Sequence, residues 1–575
     1  MLQSKRNRFL TIGMAIILIF AILLSACDSV PVTPGSSAGS VPSSAPSIPT
    51  VPSTPSSPTI PSTPPVADQT KIVLNPAQLV YEMTDADVSK FYTLLNQMKN
   101  AALDGQDGDA VMALSDQVDD HYYYMSAQRS IASVLHYTDL NDKDASNLYL
   151  ECTDTLTDAY DTYMKTVKEL YDTDFPAKER FFGEWSEQDI AMLLSYSPEI
   201  TALQERNAQI EVAYQDLQND PDMYTKMVPL YIELVQNNNR IAQAYGYDNY
   251  YAYAYDLVHD RDYGSEEIKT MRSLVSEYLP EAAANAYNKF YQAYSALNPT
   301  AQMKLEAFLY EPYKPSYTDE IEDYFKTLPQ QTRLHMLDMF DGNIIIAEKA
   351  SAQEGAFTTS IGKGNYLCFF GPGYSSPMTI IHEVGHYYGA QYHSLQELPL
   401  DLAETQSQGN EWLFMAFMES KMTPNFYNAT VNYRIFDEIV TIMLCTIIDE
   451  FEERVYTHPN IAKLTSDDLD AIMEDVCKNY GGISFLNNIA TNVQKYWRMV
   501  VVEQPIYYIS YSVSAIAAIN IFTIAEDDYD QAVSIYCSLI ENVVLEDGFL
   551  GNIKNAALDG PFDEDVYKKL AEMMT

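Results

Sequence analysis

Apolar positions recur every three to four residues along most of the chain from residue 67 onward, as in Val88-Ser-Lys-Phe-Tyr-Thr-Leu-Leu-Asn-Gln-Met98. That spacing matches the helical turn and predicts a succession of amphipathic helices. Strand signals are few. Ala356–Ile361 and Tyr366–Phe370, joined through Gly362-Lys-Gly364, predict one short β-hairpin. No self-similarity appears at solenoid periods. The expected fold is mainly α, with a small β element in its C-terminal half.

The first 66 residues follow other rules. Lys5, Arg6 and Arg8 precede an apolar run from Phe9 to Leu24. Leu24-Ser-Ala-Cys27 is similar to a bacterial lipobox, in which Cys27 is acylated and becomes the first mature residue. The run is short beside the ~20 residues of a membrane-spanning helix, which favours a cleaved lipoprotein signal over an uncleaved anchor. Residues 28–66 hold eleven of the 28 prolines and a single charge, Asp28. Such a stretch cannot build a core and is expected to act as a spacer, up to about 120 Å long if extended at ~3.1 Å per residue. Four parts are therefore expected: a signal peptide (1–26), a lipid-bearing linker (27–66), an N-terminal helical part (67–225) and a catalytic region (226–575). The expected location is the outer face of a bacterial cell membrane, with the lipid as the only membrane contact.

Composition narrows the partners. The 575 residues suffice for a sizeable core, and the 47% hydrophobic content is ordinary. A net charge of −45, from 80 acids against 35 bases, argues against nucleic acid and anionic lipid. Beyond Cys27 there are five cysteines, at 152, 368, 445, 477 and 537, with no C-x-x-C. An odd number leaves at least one unpaired, and they read mostly as small buried hydrophobes.

The chemistry lies in Met378-Thr-Ile-Ile-His-Glu-Val-Gly-His-Tyr-Tyr-Gly-Ala390, which contains H-E-x-x-H. On a helix, His382 and His386 share one face and can reach one zinc ion, while Glu383 beside them can take a proton from a water on that metal. The arrangement is that of a metallopeptidase helix. A start signal precedes it: Ser375 and Ser376 as N-cap candidates, then Pro377 at the first position. Only eight histidines occur in the chain, and His382, His386 and His393 fall within twelve residues.

A catalytic zinc needs a third protein ligand. His393 is one residue late for the H-E-x-x-H-x-x-G-x-x-H spacing, an error of about 100° on a continuing helix; Tyr392 occupies that place. Asp401 is a weaker candidate and can instead cap the next helix. Glu404 is preferred. It and Glu411 are seven apart, nearly two turns, so one can bind metal while the other holds a ligand imidazole.

Glu404-Thr-Gln-Ser-Gln-Gly-Asn-Glu411 resembles the E-x-P-S-Q-x-x-E stretch of the thimet oligopeptidase and oligoendopeptidase F family, with Gln406 where proline is common. Glu354–Phe370 resembles the strand pair before that family's zinc helix. Asn239–Tyr251 is similar to its R-x-x-I-A-x-x-x-G-Y-x-N-Y, Pro505-Ile-Tyr-Tyr-Ile-Ser-Tyr511 to its P-F-Y-Y-I-D-Y, and Ala556–Phe562 to its C-terminal tail. The resemblance runs from about residue 230 to the end. It implies a large helical zincin enclosing a deep channel, monomeric, with one zinc per chain, that cleaves oligopeptides internally. It further implies that Tyr508 and Tyr511 serve the transition state or a substrate carbonyl. It also supports a peptide-aligning edge in the hairpin, for which Gly364, Asn365 and Tyr366 are the candidates. One departure stands out: Val500 occupies the place of a histidine common five residues before the family's proline. Its loss is the one feature favouring a different class, a catalytically weak peptide-binding lipoprotein that feeds a transporter. A metal-scavenging lipoprotein would carry several His/Asp-rich tracts, and only one compact site is seen.

Overall fold

The computed structural model describes residues 77–574, apart from 184, 186–189, 191–192, 194–196, 218–221, 311–317, 354, 363, 372–375, 394–397, 491–492 and 503. The signal-peptide, Cys27 and linker expectations lie outside the described residues. The rest is mainly helical with one small sheet, as the apolar spacing predicts.

Three long helices open the described chain: α1 (Asp85–Leu103), α2 (Gly108–Thr138) and α3 (Lys143–Asp172). Each starts at a polar cap. Thr84 and Asp87 form a reciprocal box at α1, and Asp107 and Asp142 accept first-turn N–H groups of α2 and α3. Phe91, Leu95 and Met98 of α1 pack with Val118 and Tyr122 of α2 and with Leu156, Tyr163 and Val167 of α3. A much larger core follows, built on α4 (Met223–Ala244), α5 (Ser265–Ser295) and the helices of the C-terminal half. Ile200, Leu203, Ile210 and Tyr214 already belong to that larger core.

Between α5 and the C-terminal helices lies the sheet, of β1 (Ile344–Ala347), β2 (Gly355–Ile361) and β3 (Gly364–Phe370) in the order β1-β3-β2. β2 and β3 form the expected hairpin, antiparallel from Gly355↔Phe370 to Ile361↔Gly364. β1, which alternation does not reveal, adds in parallel from Ile344↔Leu367 to Ala347↔Phe370. Tyr137 of α2 packs edge-on against Phe357, so the sheet is sandwiched between α2 and the helix that follows it.

That helix is α6 (Pro377–Gly389). It packs on α7 (Leu400–Met418), and α7 lies along α9 (Ile509–Asp527). The 33-residue α8 (Pro424–Tyr456) packs on both α5 and α9, and α10 (Tyr529–Glu541) closes the group. By length and composition α9 could cross a bilayer, but 83% of its most apolar window is buried among these neighbours. Apolar on every side and enclosed, it is a core helix. The cysteines at 152, 368, 445, 477 and 537 are all buried and unpaired with one another.

α6 and α7 meet backbone to backbone at Gly385. A Cβ there would lie 2.6 Å from Ser407 Cα and 2.8 Å from Gln406 O. Neither atom belongs to a side chain that can swing aside. Gly385→Ala is therefore expected to lower stability by about 1–3 kcal/mol, the usual cost of overpacking. Denaturant unfolding checks it, and an unchanged midpoint would mean that the contact yields freely.

Candidate metal centre

The chain folds locally to present two imidazoles. Ser376 caps α6, its Oγ accepting the Thr379 N–H at 3.2 Å, and Pro377 takes the first helical position. His382 and His386 then stand one turn apart with ring centroids 5.0 Å apart. Because Gly385 admits the α7 backbone, Glu404 arrives opposite both. Its Oε2 is 3.6 Å from His382 Nε2 and 3.7 Å from His386 Nε2. Those separations are too long for hydrogen bonds. They suit three ligands of one ion, since donors ~2.1 Å from a tetrahedral metal lie roughly 3.4 Å apart. The three donor atoms all fall within 4.8 Å of one another.

The neighbours orient these donors. His382 donates Nδ1–H to Glu411 Oε1 at 2.7 Å, and Glu411 Oε2 accepts from Arg434 Nη2 at 2.6 Å. With its proton on Nδ1, the ring turns the Nε2 lone pair toward Glu404. That Nε2 is buried and has no hydrogen-bond partner. Burial disfavours charge on His382, but Glu411, Glu383 and Glu404 outweigh it and lift its pKa to about 9. His386 is pushed well below the ordinary value, by burial and by His382. A cation at Nε2 satisfies what a proton on His382 otherwise would. The donor set of two neutral imidazoles and a carboxylate fits zinc.

Glu383 points to a different task. Thr358 of β2 donates to its Oε2 at 2.9 Å and to its backbone oxygen at 3.0 Å, while Oε1 has no partner. Burial raises its pKa to about 8 against the pull of His382 and Thr358. A desolvated carboxylate with one oxygen held and one free is suited to moving a proton.

Two further contacts lock α7 in place. Asn410 donates from Nδ2 to Ile381 O at 2.6 Å, and Tyr324 donates to Asn410 Oδ1 at 2.6 Å. Ser407 Oγ lies 3.3 Å from Glu404 Oε2. Asp401 is neither ligand nor cap. Pro399 holds the cap position of α7, and Asp401 Oδ2 accepts from Tyr263 at 2.7 Å. His393 lies beyond the end of α6, its N–H on Gly389 O, and is not part of the three-residue cluster.

Tyr508 precedes α9 and Tyr511 sits in its first turn, with rings 6.2 Å apart. Burial, then Tyr507, then the negative Glu404 push the Tyr511 phenol well above its ordinary value. Val500 is buried at the end of a short helix, Trp497–Val500.

Gly364, Asn365 and Tyr366 lie on the central strand of the sheet, paired with Ile361, Ser360 and Thr359. β1 takes the far side of β3 from Leu367 onward, so the outer strand nearest α6 is β2. Asn365 is engaged structurally: its Nδ2 donates to Ala390 O at 3.0 Å and its Oδ1 accepts from Ser360. The sequence reading missed Thr358, Arg434 and Asn410. Asn410 lay within the motif already singled out and Thr358 within the expected hairpin strand; Arg434 carries no local signal.

No family model matches the chain, and no curated protein matches it at a significant level. Solved structures do. PZ peptidase A, in a structure with an inhibitor, superposes with a TM-score of 0.65 at 16% identity, over 86% of this chain and 98% of that one. A Bacillus anthracis protein assigned as an oligoendopeptidase F gives 0.63 at 14% identity, over 86% and 96%. Oligoendopeptidase F of Enterococcus faecium gives 0.55 at 13% identity, over 85% and 96%. The chain has the fold of these large helical peptidases from end to end of each.

Two outcomes follow. Glu411→Gln is expected to weaken metal binding about 10- to 100-fold, measured by competition with a chromogenic chelator. Glu438, close to Arg434, is buried, and desolvation raises its pKa to about 8 against the attraction of Arg434. Folding therefore takes up a proton there, and the stability it contributes is full below the unfolded carboxylate pKa and lost as pH rises through about 8. The limiting slope is about 1.4 kcal/mol per pH unit. Glu438→Gln is expected to flatten that part of the stability profile and to exceed the wild type above pH 8. Denaturation midpoints across the range check it.

Proposed function

We propose that the chain is a zinc-dependent endopeptidase of the oligoendopeptidase F type, acting on short peptides outside the cytoplasm and tethered through lipid on Cys27. The observation that carries this is the convergence of His382, His386 and Glu404 on one point, with Glu383 beside them and Glu411 behind His382. The fold likeness supports it, and so do the ordered sequence resemblances.

His382, His386 and Glu404 would hold the zinc, which supplies Lewis acidity toward the scissile carbonyl and the attacking water. The remaining work falls to the protein. Glu383 takes the water's proton at its free Oε1 and later delivers it to the leaving amine. Thr358 keeps the other oxygen engaged and the carboxylate turned toward the site. Tyr511 would donate to the oxygen that becomes negative in the tetrahedral intermediate, with Tyr508 beside it. An extended peptide would align along β2, the strand that carries Thr358, by backbone hydrogen bonds. A channel that admits unfolded peptides and excludes folded proteins would explain the size of the helical shell.

The test is cleavage of a quenched-fluorescent peptide library by the purified protein, with and without chelator, beside Glu383→Gln. Chelator-sensitive turnover is expected, and the variant should lose about 10²- to 10⁴-fold while still binding one zinc. Peptide binding without turnover would overturn the enzyme reading and favour a peptide-capturing lipoprotein, with Val500 as the lesion.

A further inference from the structure

The strain in the backbone is concentrated opposite the tyrosines. Among the described residues, three non-glycine residues adopt a left-handed φ: Asp260 at 47°, Ile506 at 62° and Ala557 at 62°. Two of them belong to segments that face each other. Ile506 is the extreme case, because a β-branched side chain crowds its own backbone at positive φ, where glycine or asparagine is the ordinary occupant. Its side chain is fully buried, so the conformation is not that of a loose surface turn. Such a residue persists only where its surroundings over-determine it, and such places cluster at functional sites.

Both backbone atoms of Ile506 are held. Its N–H donates to Glu452 Oε1 of α8 at 3.0 Å, and its carbonyl accepts from Arg261 Nη2 at 2.9 Å. The same Nη2 reaches Tyr507 O at 3.3 Å and Ser510 Oγ at 2.9 Å. Arg261 is itself fixed, its guanidinium 4.4 Å from the centroid of the Tyr255 ring. It follows a π-helical turn, Ala254–Val258, and the strained Asp260. π turns are rare and are frequently found at functional sites. Asp401, one turn before Glu404 on α7, accepts from Tyr263; burial raises its pKa, against the charge of Arg261 and hydrogen bonds from Ser510 and Tyr263. The segment that starts α9 is thus tied to the helix that supplies the third metal ligand.

We infer that Arg261 and Glu452 are positioning residues: they clamp Ile506 in its left-handed conformation and thereby aim Tyr508 and Tyr511 at the metal centre. The inference rests on the peptidase reading and extends it to residues that touch neither metal nor substrate. Burial pushes the Glu452 carboxyl well above the usual range, and glutamine matches its shape.

The experiment compares the full chain with Arg261→Ala, Glu452→Leu and Glu452→Gln, reading kcat and KM, bound zinc, and hydrogen exchange over residues 505–511. Arg261→Ala and Glu452→Leu are expected to lose on the order of a hundredfold in kcat, as a misplacement of about 1 Å can cause. KM and one bound zinc per chain should be kept, and exchange over the segment should be faster. Glu452→Gln, which keeps an oxygen for the Ile506 N–H, should restore most of the lost turnover and the slow exchange. Unchanged kcat in the first two variants overturns the clamp, as does a Gln variant as impaired as the Leu variant. Should the larger changes fail to fold, Ser510→Ala carries the test: it deletes one acceptor of Arg261, and an unchanged kcat overturns the proposal. If the wild type cleaves no peptide, hydrolysis falls, and exchange alone then decides the clamp.

Discussion

At Gly385 the backbone of α6 lies so close to Gln406 and Ser407 that no side chain fits between them. The metal centre depends on this contact. Two histidines on one helix supply only two ligands, and the third must come from a separate helix with a short carboxylate reach. Only a close crossing places Glu404 Oε2 at near-equal distances, 3.6 and 3.7 Å, from both imidazoles. Asn410, donating into Ile381 O one turn before Gly385, fixes the same crossing from the other end. The glycine of H-E-x-G-H is thus a packing requirement as much as a link between ligands.

Electrostatics then explains why so polar a cluster is tolerated in the core. Glu383, Glu404 and Glu411 are all buried around His382, and the Arg434 guanidinium hydrogen-bonds the group through Glu411. Buried carboxylates in such numbers repel one another and lose hydration. Burial and its neighbours raise the proton affinity of Glu383, whereas Arg434 and His382 outweigh burial at Glu411 and lower its pKa. The two carboxylates differ by environment, so one is fixed as a charged support and the other is left able to exchange a proton. A divalent cation would complete the balance at the point where His382 Nε2 has no other partner.

Much of this was legible because the informative spacings are helical. His382 and His386 differ by four, Glu404 and Glu411 by seven, and each pair keeps to one helix, so local pattern sufficed. Ser376 and Pro377 marked the start of α6 for the same reason. The hairpin emerged with its strands short by one and two residues. What failed was non-local. Ile344–Ala347 is a four-residue apolar run that cannot be told from buried helix by period alone, and its parallel pairing with Leu367–Phe370 is what makes β3 central. Thr358, Arg434, Arg261 and Glu452 act on partners 25, 23, 245 and 54 residues away. No periodicity encodes such pairs.

The two halves of the site are held differently, and the difference follows from what each must do. Metal ligands on α6 and α7 need a fixed separation, and regular helices crossing at a glycine give it without strain. The tyrosines sit where α9 begins, and a helix start is set by the turn before it. That turn contains Ile506 in a conformation its side chain opposes, restrained at its N–H from α8 and at its carbonyl from the segment after Val258. Ser510, directly before Tyr511, accepts from the same Arg261 guanidinium and hydrogen-bonds Asp401 on α7. A group that must meet charge as it develops is worth more when its orientation is settled in advance. Strain at Ile506, offset by two buried side chains from distant parts of the chain, is consistent with that demand.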